Sequence, residues 1–212
     1  MSEPKISVVL GTYNQKDVIK RVLEGYENQT LNNADFEVVV VDSMSDDGTA
    51  EALTSYNPNY NFNYIRKENN GKAYARNFGV SQAKSELIII TDADMIPDEK
   101  FVETHFNAHQ DTQGPACFEG LTYNLDHYHW PPKSDSIEPY ISRDYPQGKK
   151  LGWFYFLTGN ISFPKSLFEE EKGFSEAFKG YGWEDLELGY RLSKKSIPLY
   201  YLKTAVNYHY HV

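Results

Sequence analysis

The chain has 212 residues, 40% of them hydrophobic, and a formal net charge of -9. That length holds one domain, or two abutting halves of one domain, with enough apolar residues for a core. The acidic balance comes with no basic stripe, which excludes a nucleic-acid surface and means that a phosphate ligand would need local cations or a metal. Cys117 is the only cysteine. An internal disulfide is therefore impossible, and a reducing compartment is expected. No apolar run approaches a membrane span. The start, Met1 to Lys5, lacks a signal-peptide apolar region. The expected location is the cytoplasm, with peripheral contact at the inner membrane face left open. Aromatic content is 15%, with 17 tyrosines, a composition suited to carbohydrate stacking.

Ile6 to Leu10 predicts a first strand, ending in Gly11-Thr12-Tyr13-Asn14. Val18, Ile19, Val22, Leu23 and Tyr26 predict one face of a helix from Gln15 to Asn28. Phe36 to Val41 is a second buried strand, ending at Asp42. Ser45 to Thr49 is a turn that opens a second helix. Asn61 to Arg66 is a third strand. Asn69-Asn70-Gly71 is a loop before a helix from Lys72 to Ala83. Leu87 to Ile90 is an apolar, β-branched run that fits a strand buried on both faces. It stops at Thr91, and Asp92-Ala93-Asp94 follows. This alternation predicts an α/β fold with a parallel, helix-covered sheet.

Beyond Asp94 the alternation ends. A helix from Asp98 to Gln110 is expected after Pro97, and a strand from Ala116 to Tyr123. His105 and His109 are four apart in that helix, but no Glu completes a zinc motif, so they read as surface. Residues 126–150 hold His127, His129, Trp130, four prolines and many polar residues. They predict an irregular, acceptor-facing segment that orders when a donor binds. Phe154 to Phe163 predicts a strand interrupted at Thr158-Gly159-Asn160. Trp183 to Lys194 predicts a helix, with Glu187 and Arg191 spaced to pair. Leu199 to Leu202 predicts a last short strand.

The polar groups converge at strand ends. Open α/β sheets bind ligands beyond the carboxyl ends of their strands. There Thr12, Tyr13, Asp42 and the pair Asp92/Asp94 would lie side by side. Two adjacent carboxylates need a cation, and Mg²⁺ or Mn²⁺ takes one or two carboxylates plus substrate phosphates. The small Ala93 leaves room for a diphosphate. Asp42 can accept hydrogen bonds from a base or ribose, and Tyr13 can stack on a base. Lys72 and Arg76 share a helical face and could meet a diphosphate or orient the carboxylates. Glu184 and Asp185 fall in the first turn of their helix, where the positive helix end favours ionised acids. An ionised acid near a sugar hydroxyl can act as general base, and Trp183 offers an apolar plate beside it. His209 and His211 could both face one way from an extended segment and join carboxylates around Mn²⁺. Taken singly, most of these features fit caps, turns or solvated faces. Their joint placement favours a nucleotide pocket.

The same stretches resemble the family-2 glycosyltransferases of the GT-A fold. Ile6 to Asn14 is similar to their first strand. Val38 to Thr49 resembles their acidic second segment, with Ser43 in place of the second Asp. Asn70 to Gly79 and Thr91 to Asp94 also match. Thr158 to Phe163 and Gly173 to Leu188 resemble a galactosyltransferase-type C-terminal region. The resemblance implies inverting transfer from a UDP-sugar to a glycan or glycolipid hydroxyl. It implies Thr12, Tyr13 and Asp42 at the uridine and Asp92 at the ribose or metal. It implies Asp94 and a C-terminal His, His209 or His211, on Mn²⁺ or Mg²⁺. Asp185 would be the base, Glu184 an acceptor ligand, and Asn160 and Trp183 acceptor- or sugar-binding. Two rivals are a sugar nucleotidyltransferase and a non-catalytic sugar-nucleotide or glycan-binding module. The first expects a glycine-rich basic loop after strand one, where Gly11 stands alone. The second is disfavoured by retention of both acidic pairs.

Overall fold

A computed structural model describes residues 3–125, 137–139, 145–178 and 182–210. Its first half alternates β1 (Ile6–Thr12), α1 (Lys16–Tyr26), β2 (Phe36–Asp42), α2 (Thr49–Thr54), β3 (Asn61–Arg66), α3 (Lys72–Gln82) and β4 (Leu87–Asp92). Its second half runs β5 (Met95–Pro97), α4 (Phe101–Gln110), β6 (Cys117–Leu125), β7 (Ile137–Pro139), β8 (Lys150–Leu151), β9 (Ile161–Pro164), α5 (Lys165–Glu170), α6 (Glu184–Lys194) and β10 (Leu199–Tyr210). Among the described residues these strands make one sheet in the order β3-β2-β1-β4-β9-β6-β10-β5, with β7 beside β6 and β8 beside β10. The first four strands are all parallel. Strand β9 reverses direction between β4 and β6, and β10 runs parallel to β6. This mixed, helix-covered sheet is the expected GT-A architecture.

Side-chain alternation divides the apolar residues between two faces. Val8, Leu10, Val38, Val40 and Ile89 pack with Ile19, Val22 and Leu23 of α1 and with Phe101 of α4. Val9, Val39, Ile88 and Ile90 pack on the other face with Val80 of α3, Phe168 of α5 and Leu188 of α6. Full burial of each such side chain stabilises the fold by about 1.5–3 kcal/mol before entropy is counted. Gly79 lets α3 lie flat on β1, because a Cβ there would come within 2.4 Å of Val9. That contact sets the height at which Lys72 and Arg76 reach the strand ends.

Three expectations in the second half need correction. Phe154 to Phe163 is not one strand. Trp153–Tyr155 forms a 3₁₀ turn against α6, and only Ile161–Pro164 is extended. The last strand continues past Leu202 to Tyr210, with a register shift between Leu202 and Val206. Its polar residues are held between β6 and β5, a tertiary pairing that local hydrophobicity does not reveal. His105 is fully buried and His109 is part-buried, not surface. Most of the 126–150 segment lies outside the described residues, as does His211. The predicted Glu187–Arg191 pair is present at 2.7 Å. Among the described residues no helix is long and apolar enough to cross a membrane.

Candidate active site

The parallel register brings the strand ends together. Thr12 pairs with Asp42, Asp42 with Arg66, and Gly11 with Asp92. Above this edge lies a cavity of about 410 Å³ lined by Thr12, Tyr13, Ser43, Lys72, Ala93 and the two aspartates Asp92 and Asp94, among others. Tyr13 is half exposed. Ala93 is buried, so its methyl turns into the core while its neighbours stay partly open.

Asp42 sits differently from the sequence expectation of direct nucleotide contact. It is fully buried and is not part of the described cavity wall. Its Oδ1 accepts the Ser45 amide at 3.0 Å and the Ser45 hydroxyl at 2.5 Å. Its Oδ2 accepts the Tyr64 hydroxyl at 2.8 Å. The carboxylate therefore shapes the loop that carries Ser43 behind the cavity.

A second cavity, of about 440 Å³, opens on the other side of Asp92. Trp183, Glu184, Asp185 and His209 line it, with Glu119 and residues 157–160. The two cavities share Lys72, Arg76, Asp92 and Asp94. Gly182 and Trp183 both take left-handed backbone, at φ 85° and 79°. That conformation is rare for a bulky residue and is the kind of strain found at working sites. It swings the chain sharply into α6, so that Glu184 and Asp185 start the helix at the cavity wall while Trp183 stays 68% exposed.

Arg76 joins the two cavities. It is 3% exposed. Its Nη2 donates to Asp92 Oδ1 and its Nη1 to Glu184 Oε1, each at 2.6 Å. Of the two roles open to it in the sequence, this is orientation of carboxylates. Burial alone would depress the guanidinium pKa, but Asp92 and Glu184 outweigh it and hold it above the ordinary value. Burial would likewise raise the Asp92 pKa, but Arg76 and Lys72 outweigh it and hold the carboxyl below its usual value. Asp185 moves the other way. Burial raises its pKa, and Glu184 beside it adds to the rise despite hydrogen bonds from backbone amides. One of these is the Leu186 amide at 2.8 Å.

Asp94 and His209 meet at the mouth shared with the nucleotide-side cavity. His209 Nε2 lies 3.5 Å from Asp94 Oδ2. Asp94 Oδ1 is buried and accepts no hydrogen bond among the described residues. A buried carboxylate oxygen left in that state fits a cation site. Among the described residues no three His, Cys, Asp or Glu side chains cluster as a complete metal cage. The pair fits a divalent ion that takes its remaining ligands from a diphosphate, the habit of Mg²⁺.

Asn160 borders the acceptor-side cavity, but its side chain is committed inward. Its amide donates to Ala205 O at 3.0 Å and Leu121 O at 3.3 Å, and its Oδ1 faces His105 Nε2 at 2.9 Å. Sequence reading missed Glu119, a buried acid on the wall whose carboxylate accepts the Leu157 amide at 3.1 Å. No local pattern around Glu119 marks it, since it sits alone in a β-strand.

Comparison with known proteins shows the family and the fold. The glycosyl transferase family 2 model matches residues 7–171, and the model described as the N-terminal domain of galactosyltransferase matches residues 141–212. A validoxylamine A glucosyltransferase from Streptomyces hygroscopicus subsp. limoneus is 32% identical across 92% of this chain and 49% of its own length. A chondroitin synthase of Pasteurella multocida is 26% identical across 96% of this chain and 24% of its own. The chain thus spans about half, or less, of these relatives. The structure of S. aureus TarS 1-349 in complex with UDP superposes with a TM-score of 0.78 at 21% identity, covering 96% of this chain and 60% of that one. The mannosyltransferase PcManGT from Pyrobaculum calidifontis, in complex with GDP-Man and Mn²⁺, gives 0.70 at 20% identity, covering 98% and 57%. These two likenesses show the fold. The family match over residues 7–171 shows more: the chain belongs to glycosyl transferase family 2.

Proposed function

We propose that this chain is a metal-dependent, inverting glycosyltransferase. It moves a hexose or N-acetylhexosamine from a UDP-sugar to a hydroxyl of a glycan or glycolipid acceptor. One observation carries the reading: two cavities meet at Lys72, Arg76, Asp92 and Asp94. A transfer between two bound substrates needs such adjoining pockets, with the reacting atoms at the junction. The UDP complex of TarS and the Mn²⁺ in PcManGT support the donor class and the metal.

Thr12, Tyr13 and Ser43 flank the nucleoside, with Asp42 bracing their loop from behind. Lys72 faces the diphosphate. Asp94 and His209 would hold the divalent ion, with His211 a further candidate ligand. A Mn²⁺ or Mg²⁺ held there would neutralise charge growing on the leaving diphosphate. Arg76 fixes Asp92 on the donor side and Glu184 on the acceptor side. Trp183 stacks on a sugar ring. Asp185 takes the acceptor hydroxyl proton as that oxygen bonds the anomeric carbon and the bond to the diphosphate breaks. The raised Asp185 pKa makes it a stronger base than an ordinary surface aspartate.

The test is a panel of UDP-sugars plus GDP-mannose, with and without Mn²⁺, read for release of nucleoside diphosphate. Mn²⁺-dependent release of UDP from one sugar is expected. UDP binding with no release from any donor would mark a binding module instead. Pyrophosphate formed from UTP and a sugar phosphate would mark a nucleotidyltransferase.

A further inference from the structure

A buried polar chain behind the acceptor-side cavity has no part in the roles above. It can be oriented group by group. The Asn160 amide nitrogen lies on the carbonyls of Ala205 and Leu121, which only accept. Asn160 Oδ1 must therefore accept from His105 Nε2–H. With its proton on Nε2, His105 uses Nδ1 to accept the Ser162 hydroxyl at 2.8 Å. The Ser162 oxygen then accepts from His109 Nε2–H at 2.9 Å. Every link has one direction, and both rings are neutral. Burial depresses both pKa values, that of His105 to about 4 and that of His109 to about 3, where His105 adds to the effect.

The chain ends on the turn of residues 157–160, which is pinned from every side. Gly120 donates its amide to Asn160 O at 2.9 Å. Glu119 accepts the Leu157 amide. Gly159 O accepts the Thr91 hydroxyl at 2.8 Å and the Asn207 amide at 2.7 Å. Gly120 has room for no side chain, since a Cβ would sit 2.2 Å from Asn160 Oδ1. The open edge of this turn is Thr158, which lines the acceptor-side cavity together with Asp185 and turns its backbone amide toward that carboxylate. Thr91, on the opposite side, directly precedes Asp92.

We infer that His105, through Asn160, is a positioning residue that holds the 157–160 turn so that Thr158 aims Asp185 at the acceptor hydroxyl. The inference rests on the proposed role of Asp185 as base. A fully satisfied buried network fixes one arrangement of its members, and misplacement of a reacting group by about 1 Å costs about 10²-fold in rate. His105→Leu removes the donor to Asn160. His105→Gln replaces it, because a glutamine amide can occupy the Nε2 position.

The experiment measures kcat, the KM for each substrate and UDP affinity for the active wild type, His105→Leu, His105→Gln and Val22→Ala. Val22 is a buried residue of α1 outside this polar chain and controls for lost stability. His105→Leu is expected to lower kcat about 10- to 100-fold with UDP affinity unchanged. His105→Gln should restore kcat to within a fewfold, and Val22→Ala should lower the melting temperature alone. If His105→Leu does not fold, Thr91→Val takes its place, removing one of the two donors to Gly159 O, with a kcat loss of a fewfold expected. Unchanged kcat in whichever of these two variants folds, or a loss in His105→Leu that His105→Gln does not recover, overturns the inference while leaving the transferase reading intact. A wild type that transfers no sugar overturns both.

Discussion

The two walls of the site hold acids in opposite ways. On the donor wall Asp92 meets a buried guanidinium, and its pKa is pushed down. On the acceptor wall Asp185 meets backbone amides and another acid, and its pKa is pushed up. Both belong to one cavity, and Arg76 stands between the walls with both arms used. Titratable groups pushed apart by their environments mark a division of labour. A carboxylate locked in its ionised form suits holding charge and geometry on the donor side. A carboxylate with raised proton affinity suits receiving a proton on the acceptor side.

The harshest way to break this contrast is to remove its divider. Arg76→Met leaves Asp92 and Glu184 without the guanidinium that joins them. Breaking a buried ion pair from one side costs about 3–5 kcal/mol, so a large fall in melting temperature and near-complete loss of turnover are expected together. Arg76→Lys should recover part of the stability but little turnover, because a point charge cannot span both acids. Equal turnover in Arg76→Lys and wild type would count against a two-armed role.

Asp94→Asn acts on the donor wall alone. It keeps the shape and removes one anionic ligand. Mn²⁺-dependent UDP binding should weaken by more than about tenfold, the scale seen even for groups behind metal ligands. Unchanged metal affinity by calorimetry, with unchanged turnover, would dismiss Asp94 as a ligand.

Smaller effects sharpen the comparison through stability. Asp92 has a lowered folded pKa, so it contributes stability above the unfolded aspartate value of about 3.9. That contribution is lost as pH falls through the lower folded value. Asp185 has a raised folded pKa, so its ionised form costs stability at neutral pH. The cost disappears below the unfolded value. At pH 7, Asp92→Asn should therefore lower the melting temperature and Asp185→Asn should raise it. Shifts of the same sign would mean that the two walls are not opposed.

The buried histidines add an acid limb of their own. Unfolded histidine titrates near about 6.5, while folded His105 and His109 stay neutral down to about 4 and about 3. Stability should fall as pH drops from about 6.5 toward these values, because only the unfolded chain takes up the protons. Urea titrations across this range should show a shallower fall for His105→Gln.

The first half of the fold was legible because its signals are local. Runs such as Phe36 to Val41 and the face Val18, Ile19, Val22, Leu23 carry their own period, and each strand ends in a polar group that register then aligns. The second half was legible in α4, β6 and α6 but not in its other elements, whose partners come from distant segments. His105 lacks any neighbour in sequence that explains its burial. Asn160 and Ser162, more than fifty residues away, supply it. Asn160 itself carried a motif that pointed to the acceptor, yet its side chain is used to hold backbone. Asp42 shows the same limit on the donor side: the strand end was visible, but the Ser45 and Tyr64 hydroxyls that turn it inward were not. Arg76 was visible as a cation near the acids, while its reach to Glu184, 108 positions on, was not.

The most direct test of the account compares transfer and donor binding in Asp185→Asn and Glu184→Gln. General base catalysis contributes about 10²–10⁴-fold. Asp185→Asn is predicted to lower transfer by that order with the UDP dissociation constant unchanged, while Glu184→Gln acts more on acceptor affinity. Near-normal transfer by Asp185→Asn at saturating acceptor, with Glu184→Gln inactive, would contradict the assignment of the acceptor wall and exchange the two roles.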